Sequence, residues 1–220
     1  MTNLKAIIFD FDGVIFESVG VKIDAFRQLF AQYPQEIDEI IDYHMATGGV
    51  SRYKKFDHIY KEILKKELTD EQSKELGAKF SQYGYQRVVE SPFVKGAYEF
   101  LEKYHQRFLL FIASGTPHDE MLSIVKDRKL EKYFKDVYGS PATKGQIAKK
   151  ILADHDLRKE EMVFVGDSTT DYEGAREAGI RFIGRIHKEY ANTFSHLGLK
   201  DIIEDLDDLE KLLALCNKNY

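Results

Sequence analysis

The chain has 220 residues, of which 43% are hydrophobic and 31% charged, and a formal net charge of −5. This ordinary globular composition can build one sizeable core, or a core with a smaller insert, and its acidic balance gives no general reason to expect nucleic acid as a partner. No apolar run approaches the roughly 20 residues of a membrane span and no basic-then-apolar leader opens the chain, so a cytoplasmic protein without a membrane partner is expected.

The first element is a short apolar strand over residues 4–9, which runs through Ala6-Ile7-Ile8-Phe9 into Asp10 and Asp12. Side chains two apart on an extended chain share a face. Two carboxylates so placed repel, and each raises the other's proton affinity unless a cation or a proton lies between them. Asp12-Gly13 is also a common turn pair. From this stretch alone, a strand-ending turn and an active site both stand.

Residues 18–90 break the rhythm, with no convincing strand. Helical patterns cover 21–31, 36–45, 53–66 and 70–89, with Ile37, Ile40, Ile41 and His44 on one face and Phe56, Ile59, Tyr60 and Ile63 on another. About seventy residues of helix directly after the first strand are too many for a loop and predict a separate all-helical lobe.

Further apolar runs at 108–113, 162–165 and 180–183 read as strands buried on both faces, with shorter candidates at 137–138 and 202–203. Helical patterns at 97–104, 120–126, 146–155, 172–178 and 206–215 separate or follow them. The alternation predicts an α/β fold, a doubly wound parallel Rossmann-like sheet. Residues 1–17 and 91–220 form its core and 18–90 the inserted helical domain. Cys216, the single cysteine, excludes an intrachain disulfide and reads as an inert or partly exposed thiol.

In an open α/β sheet, ligands bind beyond the carboxyl ends of the strands. The first strand delivers Asp10 and Asp12 there. "LLFIASGTP" delivers Ser114, Gly115 and Thr116, read as a strand-to-helix turn with Pro117 at the first helical position, and "MVFVGDSTTD" delivers Asp167, with Asp171 one turn on. Lys144 stands at a probable helix start between them. Asp10, Asp167 and Asp171 offer the hard oxygen ligands that Mg²⁺ prefers. The Ser114 hydroxyl and the backbone N–H groups around Gly115 suit phosphate oxygens, and Lys144 adds a point charge. Each residue alone has an ordinary structural reading as cap, surface lysine or first-turn acid. Their joint appearance at strand ends points to phosphoryl transfer.

With "DFDGV", "ASGT", Lys144 and "GDSTTD" in this order and spacing, the chain resembles the haloacid dehalogenase superfamily of aspartate-nucleophile phosphatases, in the subgroup with a helical cap after the first motif, the phosphoglycolate phosphatase and β-phosphoglucomutase type. The resemblance implies that Asp10 is the nucleophile, that Asp12 is the general acid and base, and that Asp10, the Asp12 backbone carbonyl and Asp167 hold Mg²⁺ with Asp171 close by. Asp12 argues for phosphoryl chemistry, because a dehalogenase expelling halide needs no proton donor there. Two positions depart from the pattern: Glu17-Ser18 stands where Asp-Ser or Asp-Thr is usual, and Gly145 where many relatives carry proline.

In the helical insert, "TGGVSRYKK" resembles a substrate-contacting cap loop, so Arg52 either recognises a second anionic group or belongs to an ordinary helix start capped by Ser51. Lys22 on the first insert helix is a further candidate to face the cleft, and His118 is the one histidine near the phosphate loop. The expected function is a Mg²⁺-dependent phosphatase acting on a small phosphorylated metabolite, monomeric by default with a dimer allowed. The alternatives are a phosphomutase, disfavoured by Lys22 standing where mutase relatives carry histidine, and a non-catalytic binding protein, disfavoured because no motif carboxylate is missing.

Overall fold

A computed structural model describes residues 4–187 and 193–218, with side chains on the last helix described as far as Leu213. The Cys216 side chain lies outside the described residues. Six parallel strands form one sheet in the order β3-β2-β1-β4-β5-β6: β1 Ala6–Phe9, β2 Leu109–Pro117, β3 Asp136–Ser140, β4 Met162–Gly166, β5 Arg181–Arg185 and β6 Ile202–Ile203. Strand β1 lies at the centre, with Ala6 paired to Leu109 on one side and to Met162 on the other. The chain therefore moves outward from β1 through β2 to β3, then crosses back to begin β4 on the opposite side. This reversal opens a crevice at the carboxyl ends of β1 and β4.

The period of two along β1 divides its side chains between two cores. Ile7 and Phe9 pack with Phe100, Leu101, Met121, Ile124 and Leu209, on helices α5 (Ala97–Tyr104), α6 (His118–Asp127) and α9 (Leu206–Lys218). Ala6 and Ile8 pack with Ile147, Ile151 and Ala175, on α7 (Lys144–Asp154) and α8 (Thr169–Ala178). Burial on both faces is why these strands read as continuous apolar runs rather than as alternations.

Between β1 and α5 the chain is helical: α1 Val19–Leu29, α2 Ile37–Ala46, α3 Arg52–His58 and α4 Asp70–Glu90. These helices gather a hydrophobic cluster of their own, including Phe26, Phe30, Ile40, Ile41, Phe56, Ile59 and Phe80. The helix predicted over 53–66 begins at Arg52 and widens into a π turn over Ile59–Ile63. It stops short because Lys65 is left-handed (φ 53) and the Lys66 N–H turns back to the Tyr60 carbonyl at 2.8 Å.

Of the boundaries in the sheet core that differ from the sequence reading, three bear on the site. Strand β2 continues through the supposed turn to Pro117, which caps α6 rather than opening it. Helix α7 begins at Lys144, the expected helix start, two residues ahead of the apolar pattern, because Thr143 and Gln146 form a reciprocal capping box. Helix α8 begins at Thr169 rather than 172, capped by Ser168 with Asp171 answering it. Both shifts place site residues in the first turn of a helix.

Candidate active site

The site begins with the segment after β1. Asp10 extends the ladder, its N–H donating to the Val165 carbonyl at 2.9 Å. The following segment is itself apolar: Phe11, Val14, Ile15 and Phe16 are all fully buried, so it is anchored from beneath. Gly13 turns between them at φ +77, where a Cβ would lie 2.2 Å from Asp167 Oδ2. The turn and the close approach of Asp167 both require glycine.

Asp10 and Asp12 share this segment but have different partners. Lys144 reaches Asp10 Oδ2 at 2.7 Å, and the Phe11 N–H donates to Asp10 Oδ1 at 2.7 Å. Asp12 accepts from the Ser18 hydroxyl at 2.7 Å and pairs with Lys22 at 2.9 Å. Lys22 also donates to the Thr116 hydroxyl at 2.8 Å. The two carboxyls are consequently shifted in opposite senses. Burial and the charges of Asp171 and Asp167 push Asp10 well above the usual carboxylate range, against the pull of Lys144. Burial would raise Asp12 as well, but the charge of Lys22 and the bonds from Ser18 and Lys22 outweigh it and hold Asp12 low.

Asp10, Asp167 and Asp171 each bring one carboxylate oxygen to within 4.8 Å of the others. Asp171 is fully buried; it bonds Lys144 through one oxygen and accepts from Ser168 N–H (3.0 Å) and Oγ (2.5 Å) through the other. Burial raises its pKa, as does Asp167, against Lys144 and Ser168. Burial would also depress the Lys144 ammonium, yet Asp10 and Asp171 hold it above its normal range. Three crowded carboxylates facing one ammonium are a donor set suited to a hard divalent cation.

Ser114 is buried, and its Oγ accepts from the Thr116 N–H at 3.1 Å. Two adjoining cavities meet here. The larger, about 460 Å³, is lined by Asp10, Asp12, Lys22, Lys55, Thr116 and Asp167 among others. The smaller, about 240 Å³, is lined by Ser114, Lys144 and Gly49, and Gly115 opens onto both. The helical layer closes over them: the Gly48 carbonyl accepts from Thr170 Oγ1 at 2.8 Å, and a Cβ on Gly115 would lie 2.4 Å from the Gly49 carbonyl.

The matching family model spans residues 7–185 and describes a haloacid dehalogenase-like hydrolase. The chain belongs to this family. Within the haloacid dehalogenase-like hydrolases it is 27% identical over 190 residues to a phosphorylated carbohydrates phosphatase of Thermotoga maritima, covering 84% of this chain and 86% of that protein. It is also 27% identical over 201 residues to a phosphoglycolate phosphatase of Vibrio parahaemolyticus, covering 83% of each. A solved structure of a predicted phosphatase from Clostridium acetobutylicum superposes with a TM-score of 0.75 at 16% identity, covering 96% of this chain and 99% of the other. That last likeness is one of fold.

In this haloacid dehalogenase-like hydrolase the expected residues gather at one crevice in two bonded groups: Lys144 with Asp10 and Asp171, beside Asp167, and Lys22 with Asp12. Arg52 is buried at the cavity wall but bonds both carboxylate oxygens of Glu120, at 2.6 and 3.0 Å, and Ser81 at 2.7 Å. Ser51 occupies the cap position of α3 without a side-chain cap bond. His118 is exposed at the start of α6.

The histidine that meets the acidic trio is instead His187, whose Nε2 lies 2.8 Å from Asp167 Oδ2. Beside it Arg185 bonds Glu17 and the Gly13 carbonyl, the latter at 2.8 Å. These residues lie at and just beyond the carboxyl end of β5. The run at 180–183 delivers them at its carboxyl end, by the same rule that sets Asp10 and Asp167 beyond β1 and β4. Glu17, unusual in the family pattern, thus has a partner that holds the segment after β1 against β5. No described helix is long and apolar enough to cross a membrane.

Proposed function

We propose that this chain is a Mg²⁺-dependent phosphatase that hydrolyses a small phosphorylated metabolite through an aspartyl phosphate on Asp10. The observation carrying this reading is the separation of partners in the segment after β1: Asp10 is held by Lys144, Asp12 by Ser18 and Lys22. This difference supports one carboxylate acting as nucleophile and the other as proton carrier, two residues apart. The curated relatives named for phosphorylated carbohydrates and phosphoglycolate support a small phosphate ester as substrate.

Asp10, Asp167 and the Asp12 backbone carbonyl would hold the cation, with Asp171 orienting Lys144 beside it. When bound, Mg²⁺ would neutralise charge on the phosphoryl oxygens and on the crowded carboxylates. Lys144 screens the same oxygens from the other side, and the backbone around Gly115 presents N–H donors to them. Asp12 is ionised while Lys22 is in place, the form that accepts a proton from attacking water. To protonate the leaving alcohol Asp12 must first take up a proton, from solvent or from a monoanionic phosphate ester. That requires Lys22 to move off it, and a phosphate competing for that ammonium supplies the cause. Residues 18–90 act in this scheme as a cap that keeps bulk water from the cavity during the first transfer.

Asp10→Asn tests the reading. It should abolish hydrolysis of p-nitrophenyl phosphate in Mg²⁺ while leaving the fold intact, and full activity in the variant would refute the proposal. Release of inorganic phosphate, rather than an isomerised sugar phosphate, separates the phosphatase from the phosphomutase, and Lys22 at the place of the mutase histidine favours hydrolysis.

A further inference from the structure

The cations lining the larger cavity are not equivalent. Lys22 is paired with Asp12 and Arg52 with Glu120. Lys144, which borders the smaller cavity, is paired with Asp10 and Asp171. Lys55 on α3 differs from all three. Its side chain is buried, at 3% exposure, and lines the larger cavity, yet among the described residues no carboxylate lies within ion-pair distance of it. Its ammonium has two acceptors, His44 Nδ1 at 3.0 Å and the His44 carbonyl at 2.9 Å. The Phe26 ring centroid lies 5.7 Å away.

His44 cannot share the charge. Burial, then Lys55 and Lys22, push its imidazole well below its ordinary range. It is neutral, and Nδ1 receives the Lys55 proton as acceptor. The two neutral acceptors on His44 leave the ammonium without a counter-charge among the described residues, beside the Phe26 ring, where an isolated ion is costly. Burial, reinforced by Lys22 and Lys144 and only weakly opposed by Asp12, brings Lys55 down to about 7. An anion entering the cavity would remove that penalty.

We propose that Lys55 binds a second anionic group of the substrate, so that this site selects small phosphate esters carrying a carboxylate or another phosphate remote from the scissile one. This deepens the phosphatase reading and rests on it for the position of the scissile phosphate at Asp10. It also reassigns the recognition expected of Arg52: the residue whose charge is already matched by Glu120 is a strut, and the residue three positions on, with no carboxylate beside it, is the reader. The cavity of about 460 Å³ has room for both groups of such an ester.

The test uses two matched pairs. 2-Phosphoglycolate and ethyl phosphate have the same length and differ in the carboxylate; fructose 1,6-bisphosphate and fructose 1-phosphate differ in the second phosphate. Binding of each is measured by calorimetry, and kcat/KM with Mg²⁺, for the wild type and for Lys55→Met and Lys55→Arg. In at least one pair the wild type should prefer the more anionic member by about 10-fold or more, the scale of a hydrogen bond to a charged group. The pair that shows the preference identifies carboxylate or phosphate as the group read. Lys55→Met should bring that ratio to within about twofold of unity, and Lys55→Arg should keep most of it.

No preference in the wild type for either pair overturns the proposal, as does a preference that survives in Lys55→Met. The wild-type comparison decides even if a variant folds poorly. Absence of turnover on every ester, with the binding preference intact, would instead count against the phosphatase reading and leave the anion site standing.

Discussion

Arg52 on α3 grips Glu120 on α6 with both guanidinium nitrogens, at 2.6 and 3.0 Å, and thereby ties the helical layer to the sheet core. Arg52 is 5% exposed and Glu120 17%, and the guanidinium also stacks 4.4 Å over the Phe80 ring. A bidentate, largely desolvated pair differs from a surface ion pair, because removing one partner leaves the other uncompensated. Glu120→Ala and Arg52→Ala should each destabilise by roughly 3 kcal/mol in urea unfolding, while the double variant should cost far less than their sum. Additive losses would show that the pair is not coupled.

The same contact sets an acid dependence. Burial would raise Glu120, but the charge and bonds of Arg52, with Lys22 and Ser81, hold it below the usual range. A depressed carboxylate contributes stability above its unfolded pKa, near 4.3, and loses it as pH falls through the lower folded value. Wild-type melting temperature should therefore drop more steeply below about pH 4 than that of Glu120→Gln. Parallel curves would contradict this.

Gly49 marks where the helical layer touches the candidate site, beside Thr170, Lys144 and Ser168. At φ +73, a Cβ would stand 2.2 Å from Thr170 Oγ1 and 2.8 Å from Lys144 Nζ. Gly49→Ala should cost about 1–2 kcal/mol for the left-handed backbone alone, and the clash adds to it by lifting the layer off the site. We expect kcat/KM to fall at least about tenfold, beyond what the stability loss explains. Unchanged kinetics would mean that the approach is not needed for turnover.

The acidic trio predicts a metal effect that needs no substrate. Mg²⁺ at about a hundred times its dissociation constant should stabilise the fold by about 2.7 kcal/mol, read as a rise in melting temperature. Asp167→Asn should abolish the rise. A rise of equal size in that variant would place the ion elsewhere.

Lys55 carries its own pH signature. Held at about 7 in the fold against about 10.4 when unfolded, it disfavours the charged form. Between these values the unfolded chain holds the extra proton, so this contribution to stability rises with pH and is most unfavourable below about 7. Lys55→Met should therefore be more stable than wild type at pH 6, with the gap closing toward pH 10. Lys22, Lys144 and Asp12 face residue 55 in both proteins, whereas His44, which the Lys55 charge helps to depress, is relieved in the variant, and that relief adds to the gap at pH 6 in the same direction.

Local sequence was sufficient for the elements and for the first tier of chemistry. Strands buried on both faces announce themselves as apolar runs, and insert helices such as α2 show their stripe at Ile40, Ile41 and His44. Carboxylates at strand ends are legible because the ends are. What failed locally were boundaries governed by side-chain caps, as at Thr143 and Ser168, where a hydroxyl and an acceptor three residues on start the helix earlier than the apolar pattern does.

Pairing between distant residues belongs to the tertiary structure. Nothing in the run "GVSRYKK" says that Arg52 meets an acid 68 residues away while Lys55 meets none among the described residues, nor that His187 would lie against Asp167. Strand order decided these contacts, by placing β1 between β2 and β4 and gathering their carboxyl ends in one crevice. The sequence by itself determined which groups can carry charge, protons and metal. The fold decided which charges are matched, because the energy of a buried charge depends on its neighbours, and those neighbours come from other elements.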